Sequence, residues 1–299
     1  MSYFWHLLVY LNIYIIVALS LNLVVGYCGL LTLAHAGFFA VGSYAYALAS
    51  LKLGWGFIPS ILVGVSLATV LSLSVSLPSW RFKDDSFVLI SLAVQVFLFS
   101  LLLNWSGPGD EIGTWANLTN GPFGISRIPK PVIFDLSFNT PGRMALLSST
   151  VAGGFALLIW WIGSSPWGRL LKTVRDDELV ARGLGKNVYW IKVQAFAISC
   201  GAVAIAGGLY ASYMNYIDPG IGAMDESVLM LCMVLVGGVG NFRGPLLGAL
   251  ALLLIPEVLR LLEVPVAVAG HLRLLLYGFL LVVMMHVRPQ GLAGEYRME

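Results

Sequence analysis

The first residue able to do chemistry is a histidine inside an apolar run. His35 follows Thr32 and precedes Phe38 and Phe39 in GYCGLLTLAHAGFFAVGSY, residues 26–44. A hydroxyl, an imidazole and two rings can line a route for a small zwitterion with an apolar side chain. If the stretch is helical, Thr32, His35 and Phe39 share one face at i, i+3 and i+7. Groups of this kind at membrane depth face a bundle interior or a wet path. The alternative is that His35 bonds a neighbouring carbonyl and locks helix packing. Ser91 and Gln95, at i and i+4 in another apolar run, present the same choice. Thr119 and Asn120 sit where capping a helix end is the simpler role.

A second concentration of chemistry is the charged stretch SPWGRLLKTVRDDELVARGLGKNVYW, residues 165–190. Eight of its 26 residues are charged, in a chain where only 11% are. Its spacing predicts two short helices. Ser165 can cap the first and Pro166 fits its first position. Asp176 can cap the second, whose first turn carries Asp177 and Glu178. Gly183 and Gly185 supply the stop. Leu179, Val180, Ala181 and Leu184 give that second helix an apolar side, a pattern suited to docking on a protein. The competing reading is a solvated basic loop.

These residues are set in a chain of 299 residues that is 59% hydrophobic. A soluble domain is about 45–50% apolar and about 25% charged, so this composition does not fit a water-soluble globule. Apolar runs near twenty residues match the length of a membrane-crossing helix. The expected fold is all-α: one polytopic transmembrane domain over 1–299, with about eight to ten spans in the lipid bilayer. The spans are placed at 6–25, 30–51, 57–77, 86–103, 144–163, 191–213, 226–240, 244–262 and 271–287. The Gly-rich runs 30–51 and 226–240 are candidates for broken or re-entrant helices. No internal repeat is evident.

Putting the island in the cytoplasm leaves 11 of the 17 Lys and Arg inside, including Arg81, Lys83, Arg288 and Arg297. Six fall outside: Lys52, Arg127, Lys130, Arg143, Arg260 and Arg273. The positive-inside rule favours that orientation. It puts a turn-rich loop at 104–143 outside and the C-terminus inside. Glu257 and Arg260, at i and i+3, are expected to pair structurally. Cys28, Cys200 and Cys232 are far apart in apolar runs and read as small buried hydrophobes. Neither metal-ligand spacing nor a cofactor fingerprint is present, and no basic run points to nucleic acid. Gly185-Lys186-Asn187 lacks the closing hydroxyl and the leading glycine of a P-loop.

The island resembles the cytoplasmic coupling loop of ABC importer permeases of the branched-chain amino acid (Liv) type, nearer the M than the H subunit. The resemblance rests on Ser165-Pro166-Trp167-Gly168-Arg169, Arg175-Asp176-Asp177-Glu178, Val180-Ala181 and Leu184-Gly185-Lys186-Asn187. Val180 and Gly183 stand where alanines are usual. Further stretches match in the family's order: 26–44, with Leu30 for glutamine, Thr32 for serine and Ala34 for glycine; 81–105; LTNGPFGI at 118–125, with Asn120 for glycine; 236–260; and 277–294.

The resemblance implies a permease subunit, not an enzyme, in the plasma membrane. Its partners would be a homologous second permease, two cytoplasmic ABC ATPases and an extracytoplasmic binding protein. Arg175, Asp177, Glu178, Ala181 and Gly185 would form the ATPase coupling site. Branched-chain or other apolar amino acids are the implied cargo, with urea, short amides or another small solute as alternatives. An ion-coupled secondary transporter would want carboxylates at mid-membrane. The acidic residues instead cluster in expected loops, near Asp84-Asp85, Asp110-Glu111 and Asp176-Asp177-Glu178.

Overall fold

A computed structural model describes residues 2–76, 84–107, 109, 111–133, 136–262, 265–288 and 290–293. Arg81, Lys83, Asp110, Arg297 and Glu299 lie outside the described residues, as do the side chains of Asp84 and Asp85. The protein is a helical membrane bundle. Its helices are α1 (Ser2–Asn22), α2 (His35–Lys52), α3 (Phe57–Ser76), α4 (Asp84–Asn104), α5 (Pro141–Ser164), α6 (Pro166–Asp176), α7 (Glu178–Gly183), α8 (Val188–Met214), α9 (Met224–Gly237), α10 (Arg243–Leu261) and α11 (Val266–Val287). The two short helices α6 and α7 make the island. The other nine follow the nine apolar runs.

Among the described residues five of these, α1, α3, α4, α5 and α8, are long and apolar enough to cross a bilayer alone. Two others begin at breaks. α1 runs on as a π-helical turn, Leu23–Tyr27, and residues 28–34 are not helical before α2 starts at His35. The span placed at 30–51 therefore starts five residues late. Likewise α9 follows a passage after α8 that is not α-helical and holds a 3₁₀ turn, Pro219–Gly222, and it has only 14 residues, about 21 Å of helix. That falls short of a hydrocarbon core of about 30 Å.

Side chains fix the directions. His6 Nδ1 lies 2.6 Å from the Tyr213 hydroxyl, joining the start of α1 to the end of α8. Arg175 of α6 donates to the Gly26 carbonyl at 2.7 Å, at the other end of α1. So α1 and α8 are antiparallel, and the molecule has an island end and a loop end. At the loop end β1 (Ile125–Ser126) pairs antiparallel with β4 (Tyr216–Ile217), following the hairpin of β2 (Val132–Ile133) with β3 (Leu136–Ser137). Lys52 meets Glu111 there at 3.2 Å. Thr119 donates to the carbonyls of Leu102 and Trp105, closing the end of α4.

The packing repeats itself, although the sequence does not. α3 packs on α2 and α8, and α10 packs on α9 and α1. α4 touches α2 as α11 touches α9. The order α1–α4 thus recurs in α8–α11 with opposite direction, an inverted repeat of the sort that places helix breaks near the bilayer midplane. Close backbone approach holds the second half. A Cβ on Gly248 would fall 1.8 Å from the Met233 carbonyl oxygen, and one on Gly237 2.1 Å from that of Gly244. Only hydrogen fits at those two positions.

Candidate functional site

The start of α2 lies buried at the centre of the bundle, and a helix start exposes N–H groups that need partners. Residues from three elements provide them. Ser91 Oγ of α4 accepts from Leu33 N at 3.0 Å. Thr32 Oγ1 accepts from Ala34 N at 3.3 Å. Ser227 Oγ of α9 accepts from Ala36 N at 3.1 Å. Gln95 Oε1 accepts from Gly37 N at 2.7 Å, while its Nε2 donates to the Gly222 carbonyl at 2.5 Å. Gln95 therefore joins α4, the start of α2 and the turn before α9. The shared helical face expected for Thr32, His35 and Phe39 does not form. Thr32 sits in the break, where its hydroxyl meets a backbone N–H near the helix start.

His35 is buried between α1 and α8. Its Nε2 lies 3.0 Å from Ser20 Oγ and 3.5 Å from Ser199 Oγ. Ser20 donates its own proton to Val17 O, and Ser199 donates to Ser20 O. Both hydroxyl protons are committed, so Nε2 carries the imidazole hydrogen. His35 Nδ1 is buried with no hydrogen-bond partner among the described residues. Phe38 packs edge-on against Phe196, and Phe39 against Tyr210. Thr32, His35, Ser91 and Gln95 thus gather around one helix start, with Phe38 and Phe39 one turn further along.

At the island end Ser165 caps α6 by accepting from Gly168 N, with Pro166 next to it. The cap of α7 is Asp177, which accepts from Leu179 N and Val180 N. Asp176, the expected cap, is instead the last residue of α6, bound 2.8 Å from Arg175. Gly185 adopts φ +73°, where a side chain would be strained. The apolar side divides in two. Leu179, Val180 and Leu184 are exposed, whereas Ala181 is fully buried. Ala181 therefore packs inward and does not contribute to the exposed face expected to dock a partner. Glu178 binds Arg182 at 2.9 Å and also pairs with Lys192 of α8.

A cavity of about 840 Å³ opens between α1, α9, α10 and α11. Tyr3, His6, Tyr10 and Tyr14 of α1 line it, with Asp225 and Glu226 of α9, Glu257 and Arg260 of α10, and Arg273 and Tyr277 of α11. Arg260 stacks on Tyr3 at 4.3 Å and stands 3.9 Å from Glu257, the pairing its spacing foretells. The sequence reading missed the rest of this site. A signal was available: Tyr3, His6, Tyr10 and Tyr14 fall on one helical stripe, and Asp225-Glu226 adjoins an apolar run.

The family described as "Branched-chain amino acid transport system / permease component" matches residues 3–285. The chain belongs to the branched-chain amino acid transport permease family. The high-affinity branched-chain amino acid transport permease protein LivM of Escherichia coli is 30% identical over 94% of this chain and 67% of its own length. The probable branched-chain amino acid transport permease LivM of Methanocaldococcus jannaschii is 25% identical over 97% of this chain and 92% of its own. The E. coli LivH permease is 24% identical over 96% and 92%. The chain is thus nearer these M subunits than that H subunit. As a branched-chain amino acid transport permease it is the membrane subunit of an ABC importer and a multi-pass protein of the plasma membrane. The α2 start, the island and the cavity are three separate regions of the bundle.

Proposed function

We propose that this permease passes branched-chain and other apolar amino acids inward, driven by separate ATPase subunits. The observation that carries the reading is the match of nearly the whole chain to permeases whose names state that cargo. The island end faces the cytoplasm, as the distribution of Lys and Arg favours. Its exposed Leu179, Val180 and Leu184 meet an ATPase, and Arg175, held to Gly26, passes the displacement into α1. Asp177 and Gly185 set the shape of that element, and Glu178 fastens it to α8. The 104–143 loop receives the binding protein at the opposite face. A homologous permease completes the membrane part. Hydrolysis belongs to the separate ATPases, a reading supported by the family's description as a permease component.

The Thr32, His35, Ser91 and Gln95 cluster holds two half-helices whose relative tilt opens and closes the route that Phe38 and Phe39 adjoin. The test is reconstitution. A tagged copy of this permease, purified with the proteins that accompany it, should take up radiolabelled leucine, isoleucine and valine into liposomes. Uptake should need both ATP and the binding protein. Uptake of urea, a short amide or a sugar in place of these amino acids would refute the cargo.

A further inference from the structure

We infer that the cavity between α1, α9, α10 and α11 is a vestibule that binds an α-amino acid by both its charges. Asp225 and Glu226 would receive the ammonium and Arg273 the carboxylate. The inference rests on the proposed cargo and assigns it a binding place.

Depth is the first support. Tyr3, His6, Leu7, Tyr10 and Tyr14 follow one another along a single face of α1, from its loop end to its middle. Eleven residues of helix carry the lining about 16 Å inward. The cavity therefore reaches from the loop surface to about half the depth of the bilayer, where α9 begins. A polar lining this deep is costly unless used.

Charge is the second. A site made for a metal or a lone cation would carry carboxylates alone. This one also has two guanidinium groups. Arg260 is already engaged by Glu257 and Tyr3. Among the described residues, Asp225, Glu226 and Arg273 make no salt bridge, so both signs are unneutralised in one cavity. The two carboxylates lie side by side in the first turn of α9. The contrast with its repeat partner is informative. The start of α2 is closed by neutral side chains, while the start of α9 carries its own acids and faces open space.

Shape is the third. Leu229, Met233 and Leu252 form an apolar floor beside the charges. The volume is within the range of about 300–1,000 Å³ usual for small-molecule sites. An amino acid with an apolar side chain matches the floor and both charged walls.

The experiment uses the complete importer in nanodiscs of phosphatidylcholine alone, with radiolabelled leucine as probe. Two analogues separate the charges: leucinamide lacks the carboxylate and 4-methylpentanoate lacks the ammonium. Wild-type permease should bind leucine about tenfold or more better than either. Glu226→Gln should erase the preference over 4-methylpentanoate, and Arg273→Gln that over leucinamide. Uptake should fall in both, with binding-protein-stimulated ATP hydrolysis retained. If a variant fails to assemble, Leu229→Cys keeps the question open to measurement. Leucine should slow its modification by a thiol reagent, and leucinamide should protect less. Leucine uptake and analogue preferences unchanged in both charge variants would overturn the vestibule and leave the cargo standing. So would occupancy by phosphatidylethanolamine, whose headgroup shares the ammonium and anion, if adding that lipid displaced leucine without affecting uptake. Failure of the wild-type importer to take up any apolar amino acid would instead overturn the cargo.

Discussion

Replacing Gln95 with leucine keeps the side-chain volume similar and removes one acceptor and one donor. Gln95 is fully buried, and its two bonds end on backbone groups: Gly37 N at 2.7 Å and Gly222 O at 2.5 Å. Interhelical hydrogen bonds in membranes average only about 0.6 kcal/mol, because the freed groups find other partners. Here both groups lie at element ends, outside the regular bonding of a helix interior. The Gly37 N–H is in the first turn of α2, ahead of any carbonyl of its own helix, and Gly222 ends a 3₁₀ turn. Each stranded group then costs about 1–3 kcal/mol, so Gln95→Leu should destabilise the permease by about 2–6 kcal/mol. That corresponds to a fall in melting temperature of at least about 3 °C for a protein of this size. Fluorescence-detected gel filtration of the heated, detergent-solubilised complex reads it directly. Val96→Leu, on the exposed side of the same helix, is the control and should melt as wild type. Unchanged melting with lost uptake would make Gln95 a lining residue of the route instead of a tie. Unchanged melting and unchanged uptake would mean that neither bond matters.

The island allows two further tests. Leu179→Asp with Leu184→Asp should leave the permease folded but reduce the ATPase recovered with it at least about tenfold, because two exposed apolar contacts become charged; Ala181→Trp should instead lower the yield of folded permease, since Ala181 is interior. Full ATPase recovery with the double variant would show that this face docks nothing. A cysteine placed at Lys172 should resist an impermeant reagent in intact cells and one at Trp115 should react; the reverse pattern would invert the topology.

Much of the architecture was legible because it depends on composition. Among the described residues the nine apolar runs became nine helices, and the Ser165-Pro166 start of the island was read correctly, since capping is local. The cap of α7 was misplaced by one residue. Asp176 and Asp177 are equivalent as local signals, and the choice between them is made by Arg175, which holds Asp176 in α6. The break before α2 was suspected from its glycines, but its extent was not. It is fixed by Ser91, Gln95 and Ser227, which lie 56 or more residues from His35 in sequence. The inverted repeat left no sequence trace because its halves solve the same problem with different residues. One helix start borrows neutral caps and the other carries Asp225 and Glu226. The cavity was missed for a related reason. Its charges are spread in ones and twos over α9, α10 and α11, and each group looks like an ordinary helix-end feature until packing collects them.

The island's charges also explain how an oily bundle can respond to a push at one end. Arg175 is mostly buried, at 11% side-chain exposure, and donates to Gly26 inside the π-turn that ends α1. Extra residues in a π-turn are points where a helix can be displaced without unfolding. In the residue just before that turn, Asn22 donates to Asn241 O and accepts from Gly240 N, between α9 and α10. Asn241 in turn accepts from Gly244 N and donates to Ala293 O. Leu292 N and Ala293 N reach back to the last carbonyls of α9. α6, the end of α1, the α9–α10 turn and residues 291–293 are therefore bonded in series. A movement of α6 must either carry the π-turn with it or break the Arg175–Gly26 bond. The π-turn leads directly into the break before α2, and the α9–α10 turn closes the other half-helix. The charged island is joined to both discontinuous helices by side-chain bonds to backbone groups, so Arg175 serves the inside of the molecule as well as the island's surface.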